Sequence, residues 1–464
     1  MRDQMNVNRQ STDSTQNGEE NLTKAVMRRC MIASSLLPLL AAAMIGQGVV
    51  SAQPSTSPNL PPPDTSNPPS NYPVVTGWPA GRTPTAPSGF TVTLYADRLQ
   101  HPRWLYQLPN GDVLVSESNT KPRANQPKPK QEAQRRAGSI GPSANRITLL
   151  RDADRDGKPE VRSTFLSGLN QPFGMVLVCD NFYVANTDSL VRFPFKTGQT
   201  RSVAQGTKVL DLPADGYNNH WTRNVIASPD GSKLYVSVGS GTNVDEERVD
   251  EKDKRRAAIL EVNPDGSEMR VFANGLRNPI GMAWAPGTNT LWTAVNERDE
   301  LGDDLVPDYL TSVREGAFYG WPYSYFGQNE DPRKRGERPD LVARAVVPDV
   351  PLGAHTASMG LAFYEATAFP QPYRGGAFIG QHGSWNRSRP SGYKVVYVPF
   401  KNGRPSGPPQ DFLTGFIAST SGSQGSGSPN VYGRPVAVIE LSDGSLLVTD
   451  DASDRVWRIA YTRK

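Results

Sequence analysis

His220, the pair Arg277 and Asn278, and a run of carboxylates at 297–304 are the residues of this chain best equipped for chemistry. His220 lies in Asn-His-Trp-Thr-Arg (219–223), next to Tyr217 and Asn218. An imidazole among aromatic and amide groups suits general-base work near neutral pH, and equally a hydrogen-bonded structural role. The chain has four histidines, His101, His220, His355 and His382, with no HxxxH or CxxC spacing, which argues against zinc. Arg277 and Asn278 fall in Gly-Leu-Arg-Asn-Pro-Ile-Gly-Met (275–282), where Pro279 restricts the backbone of its neighbour. The guanidinium is a rigid fork of donors, fit to hold carboxylates or to tie loops through their carbonyls. Glu297, Asp299, Glu300, Asp303 and Asp304 supply oxygen at a density that suits calcium or a solvated acidic loop. A second acidic run, Asp152-Ala-Asp-Arg-Asp-Gly157, copies the start of an EF-hand loop, but Ser163 stands where the closing Glu would be; a tight turn is the preferred reading.

The elements that must position these groups read as strands. Short β-branched and aromatic runs follow turn signals six times. Pro109-Asn-Gly-Asp112 leads into Val113–Val115, and Cys179-Asp-Asn181 into Phe182–Val184. Pro229-Asp-Gly-Ser232, Pro286-Gly-Thr-Asn289, Arg374-Gly-Gly376 and Ser442-Asp-Gly-Ser445 do the same ahead of their own apolar runs. Several are preceded by a Gly-Met type of strand, as at Gly174-Met175 and Gly281-Met282. Such repetition predicts an all-β chain, a six-bladed β-propeller of four-stranded antiparallel sheets. Residues 89–464 give about 63 residues per blade, above the roughly 40–45 of a compact repeat, so the excess goes into loops. The alternating strand Gly89–Tyr95 has no blade of its own and is expected beside Val456–Ile459, closing the last blade. Two stretches read as disordered loops: Asn119–Asn145, with its solvated Lys/Arg run, and the Ser/Gly-rich Ser419–Asn430.

The first 88 residues differ from the rest. Lys24, Arg28 and Arg29 precede an apolar stretch, Met31–Val50, and small residues follow, so residues 1–52 read as a signal peptide, with retention as an N-terminal anchor the alternative. Residues 53–88, rich in Pro, Ser, Thr and Asn, read as an extended tether. An exported, periplasmic or secreted protein follows, with membrane contact only if residues 31–50 are kept. Cys30 falls in the signal, leaving Cys179 as a buried small hydrophobe with no disulfide partner. The formal charge of +4 lacks the dense basic face that nucleic acid requires.

The combination of motifs resembles the soluble pyrroloquinoline-quinone-dependent sugar dehydrogenases, most closely the sorbosone dehydrogenase branch, over about residues 89–464. The resemblance is carried by Gly-Leu-Asn-Gln-Pro-Phe-Gly-Met (168–175), the motifs at 219–223 and 275–282, Asn-Glu-Arg-Asp-Glu-Leu-Gly-Asp-Asp (296–304), Tyr-Gly-Trp-Pro (319–322), Gly-Gln-His-Gly-Ser-Trp-Asn-Arg (380–387) and Gly-Arg-Pro-Val (433–436). It implies a sugar or sugar-derived aldehyde as substrate, an electron acceptor, and pyrroloquinoline quinone and calcium as cofactors. It implies His220 as the base and Arg277 with Asn278 on the quinone oxygens. The carbonyls of Asp299 and Glu300 would hold calcium, Arg434 the cofactor's carboxylates, and Gln171 would lie near the substrate. Three positions depart from the family pattern: Ser240 stands where an Asp orients the base, Val436 where a second cofactor arginine is expected, and the cofactor lysine has no clear match, leaving His382, Asn386 or Arg387 as substitutes.

Two other functions use the same residues differently. A calcium-dependent propeller hydrolase, lactonase-like, would need the acidic loops but not Arg277 and Arg434. A non-catalytic binding propeller would not need His220.

Overall fold

The structure is a computed structural model that describes residues 59–464 except 67, 217, 246–247, 421–427 and 463–464. The expected signal segment, 1–52, lies outside the described residues. Among the described residues no helix is long and apolar enough to cross a membrane.

Six four-stranded antiparallel sheets make up the body of the described chain. The first is Pro102–Gln107, Val113–Glu117, Arg146–Arg151 and Val161–Leu166. The next two run in chain order from Met175–Val178 to Thr207–Asp211 and from Val225–Ala227 to Arg270–Asn274. The fourth spans Asn278–Trp284 to Val350–Ala354, and the fifth Ser358–Phe363 to Gln410–Leu413. The sixth joins Pro435–Glu440, Leu446–Asp450 and Arg455–Tyr461 to Phe90–Ala96 from the other end of the sequence. The first strands of successive sheets touch in cyclic order, and that of the sixth touches that of the first. This is a β-propeller.

Four of the six second strands, among them Val113–Glu117, Leu234–Val238 and Leu446–Asp450, are buried along their whole length. Sheets cover them on both faces, so they read as continuous apolar runs rather than alternations. The Gly-Met signature has a steric cause. A Cβ on Gly281 would meet the Met359 carbonyl oxygen at 2.5 Å, and one on Gly360 the Val436 oxygen at 2.3 Å. Neighbouring first strands approach too closely for any side chain at these points.

Three sequence expectations are corrected. The stretch 119–145 contains an ordered helix, Lys128–Arg136, started by Pro127 and Pro129 and ended at Ala137. The supposed tether is packed in its later part. Val74–Val75 pairs with Asn430–Val431, and buried Trp78 donates its indole N–H to Asp450 Oδ2 at 2.7 Å. Cys179 is exposed in a turn at φ 51° rather than buried. Of the Ser/Gly-rich loop, 421–427 lies outside the described residues, while Asn430–Val431 forms a strand.

Candidate active site

The loops that precede first strands and follow second strands converge on a cavity of about 220 Å³. His220, from the loop before Val225–Ala227, and Arg277, immediately before Asn278–Trp284, both line it. Buried Arg223 shapes the His220 loop, donating to the carbonyls of His220 and Pro213 at 2.6 Å each. Gly239 leaves the room: a Cβ there would stand 2.5 Å from His220 Cβ and 2.4 Å from Asn278 Oδ1.

The tautomer of His220 follows from its partners. Nδ1 lies 3.0 Å from the Ser240 carbonyl and 2.8 Å from Ser240 Oγ. The carbonyl can only accept, and Ser240 Oγ donates its own proton to the Thr242 carbonyl at 2.8 Å. Nδ1 therefore carries the hydrogen, and Nε2 is the basic nitrogen, without a protein partner among the described residues. Burial, and then the Arg277 charge, hold the imidazole pKa well below its usual value, so it is neutral at neutral pH. Ser240 thus orients the ring in the absence of an Asp.

Arg277 is buried and donates to the Asn243 carbonyl at 3.0 Å and to Asp299 Oδ2 at 2.7 Å. The other Asp299 oxygen accepts from Asn386 Nδ2 at 2.7 Å, and Asn386 also donates to His355 Nδ1 at 3.0 Å. Asn278 is buried beside these groups with Oδ1 unpaired. Glu297 lines the cavity with Oε1 unpaired, and burial pushes its carboxyl up to about 8. Asp308, also lining, is raised by the same cause. Of these two unpaired atoms, Glu297 Oε1 belongs to a residue that lines the cavity and is open to a polar ligand there.

The acidic loop is arranged differently from the sequence reading. The Asp299 carbonyl accepts from the Arg298 guanidinium, which does not favour a cation at the same oxygen. Glu300 is not among the lining residues, and its carboxylate pairs with Arg333 at 2.8 Å. Oxygen donors at the cavity come instead from the side chains of Glu297, Asp299 and Asp308. Asp152, Asp154, Asp156 and Glu160 gather their carboxylates within 4.8 Å elsewhere, in the turn of the EF-hand-like run.

Arg434 and Gln171 are near the site but do not line it. Arg434 donates to the carbonyls of His382 (3.0 Å), Gly383 (2.9 Å) and Ala137 (3.3 Å), and to Ser139 Oγ at 2.8 Å. Gln171 Nε2 donates to the Asn119 carbonyl at 2.8 Å. The two residues hold opposite ends of the segment 119–139, which covers the cavity and contributes Lys121, Arg123 and Lys130 to its lining. Of the substitutes for the cofactor lysine, Asn386 lines the cavity, Arg387 pairs with Asp304 at the rim, and His382 bonds Asp451 at 2.9 Å. Val436 is buried in the core.

Tyr72 completes the roof. Its ring stacks on Trp385 at 5.2 Å, and its hydroxyl accepts from Gln134 of the lid helix at 3.3 Å. Asn71 fixes this strap by donating to the carbonyls of Trp385, Arg387 and Ser388. The sequence reading missed the lid cations, Tyr72 and His355. The basic run was the only local sign of the lid.

Residues 183–384 match the family model described as Glucose / Sorbosone dehydrogenase, and residues 332–462 one described as TrAA12-like. The match to the glucose/sorbosone dehydrogenase model spans less than half of the chain. It is 31% identical over 254 residues to a Borreliella burgdorferi protein of uncharacterised function, covering 54% of this chain and 63% of that one. It is 27% identical over 182 residues to the aldose sugar dehydrogenase YliI of Escherichia coli, covering 36% of this chain and 46% of that one. The chain thus matches less than two thirds of these relatives' lengths. In fold it is similar to the holo form of the pyranose dehydrogenase PQQ domain from Coprinopsis cinerea, with a TM-score of 0.63, 20% identity, and 84% of this chain and 100% of that chain covered.

Proposed function

We propose that this chain is an exported, pyrroloquinoline-quinone-dependent sugar dehydrogenase on a six-bladed propeller, acting on an aldose or a sorbosone-like aldehyde. The observation that carries the reading is His220: neutral, fixed at Nδ1 by Ser240, and facing a cavity shared with Arg277.

The residues fit the cofactors. A flat tricarboxylate quinone is anionic, and Lys121, Arg123, Lys130 and Arg277 surround the cavity with positive charge. Calcium takes hard oxygen ligands, and Glu297, Asp299 and Asp308 present carboxylates there, one with an unpaired oxygen. When bound, the quinone accepts the hydride and the ion polarises it. The chain's own work is proton chemistry and placement. His220 Nε2 takes the proton of the sugar hydroxyl as the carbon loses hydride. The Ser240 carbonyl steadies the imidazolium formed, because Nδ1–H already points to it. Arg277, held by Asp299, fixes a donor fork against the oxidant, and the lid excludes water. Export rests on the apolar stretch 31–50 behind basic residues.

The test is reconstitution. Pyrroloquinoline quinone and calcium are added to the purified protein, and a panel of aldoses, sorbosone and polyols is screened for bleaching of the bound quinone. Binding without reduction by any sugar, together with lactone hydrolysis by the calcium form, would replace this reading with the hydrolase one.

A further inference from the structure

A second cavity, about 400 Å³, is lined by Trp321, whose ring packs against the Arg277 guanidinium. Its aromatic wall is Phe318, Trp321 and Tyr323, and its cations include Lys254, Arg338 and Arg344. Arg338 is paired with Asp340 at 2.7 Å, but Lys254 and Arg344 are exposed and form no ion pair with a described residue. The two carboxylates in the lining are already engaged. Asp250 accepts from Gly241 N and from the Trp321 indole N–H, each at 2.7 Å. Glu251 pairs with Arg248 at 3.4 Å and Lys334 at 3.6 Å. The cavity therefore offers flat apolar faces and uncommitted positive charge, the pair of features that recognises a planar aromatic anion.

Trp321 lines the second cavity only and links it to the first through Arg277. Its ring centroid is 5.7 Å from the Arg277 guanidinium carbon, and its backbone N–H donates to the Gly275 carbonyl at 3.0 Å. Arg277 in turn lines the first cavity. We propose that the second cavity binds the electron acceptor that reoxidises the reduced cofactor, a planar quinonoid anion, apart from the sugar. The purpose assigned to the site rests on the dehydrogenase reading; the binding does not. The balance closes: oxidation of one C–OH group to C=O releases two electrons and two protons, and a quinonoid oxidant takes up two of each on becoming its dihydro form.

The probe is 2,6-dichlorophenolindophenol, an anionic quinonoid dye, titrated into the full chain without cofactor and followed by tryptophan fluorescence. Saturable one-site quenching is expected, weakened by salt. Lys254→Glu with Arg344→Glu raises Kd about tenfold or more, Arg344→Ala raises it less, and His220→Gln leaves it unchanged. An unchanged Kd in the folded charge-reversed variant, or a Kd that responds to His220→Gln instead, overturns the site. In turnover, the same charge reversal raises the KM for dye and spares that for sugar. The two ideas fail separately. Dye bound at this cavity but never reduced by sugar defeats the dehydrogenase reading alone; sugar-driven dye reduction indifferent to the charge reversal defeats the second site alone.

Discussion

At the scale of single residues, burial shifts two groups in opposite directions, and each gives a prediction. His220 is neutral because burial and Arg277 penalise its charge. As the base it should contribute the usual 10²- to 10⁴-fold. His220→Gln is expected to lower steady-state turnover by about that factor while quinone affinity, read by titration of the cofactor's absorbance, stays within about threefold. A turnover loss below about threefold would assign the proton elsewhere. Because the pKa is lowered, loss of activity from protonating this imidazole should occur well below pH 6.5 rather than at it. Glu297 is the opposite case, its folded pKa raised from 4.5 to about 8. The stabilisation from holding that proton is complete below about 4.5 and is lost as pH rises through about 8. Glu297→Gln should therefore melt like the parent at pH 5 and higher than it at pH 8, in the absence of calcium. Calorimetry at the two pH values checks this, and an equal shift at both would deny the carboxyl its raised pKa. Calcium binding to the parent at pH 7 should release close to one proton, and to the variant almost none.

At the scale of elements, the lid decides what the site residues do. That Gln171 and Arg434 stand near the site was legible from the motifs that contain them. The direction of their side chains was not, because it depends on where a distant segment returns. Both point at the lid's ends, Asn119 on one side and Ala137 with Ser139 on the other. The lid helix was hidden for a local reason: Lys-Pro-Lys-Gln-Glu-Ala-Gln-Arg-Arg carries no apolar stripe, and none of its residues is buried. Packing of its flanks, with Ala137 and Ile140 buried, keeps it in place instead of an amphipathic face. The anchor of the Pro-rich strap, buried Trp78, was passed over because the composition of the segment around it reads as a tether. His220 and Arg277, by contrast, sit in loops bounded by recognisable strands, so their convergence follows from the fold. The lid gives the third prediction. Arg434→Ala should speed tryptic cleavage within 119–139 by about tenfold and leave the reduction rate of bound quinone nearly unchanged. If instead lid cleavage is unaltered and quinone affinity collapses, Arg434 acts directly on the cofactor, as the family resemblance implies.

At the scale of the whole propeller, one strand joins the ends of a circle. Phe90–Ala96 pairs antiparallel with Arg455–Tyr461, from Phe90 opposite Tyr461 to Ala96 opposite Val456, with one register shift between Leu94 and Ala96. That strand was readable in advance because its alternation left it without a partner nearby in sequence. Its anchor is Phe90, whose ring meets Phe369, Tyr373, Phe412 and Tyr461 edge-on at centroid distances of 4.7 to 5.4 Å. These partners come from both the fifth and the sixth sheets, so the ring of Phe90 ties the closing strand to the neighbouring sheet as well as its own. Leu94, on the same strand, is 37% exposed and lacks such a nest. Removing the Phe90 ring should cost about 2–4 kcal/mol, somewhat below a fully buried phenylalanine because the residue is half-buried, whereas Leu94→Ala should cost under about 1 kcal/mol. If every sheet depends on closure, Phe90→Ala will shift the urea midpoint of a single transition with its slope unchanged. A second, earlier transition in the variant would mean that the sixth sheet opens alone, and an unmoved midpoint would mean that the circle is held without this strand.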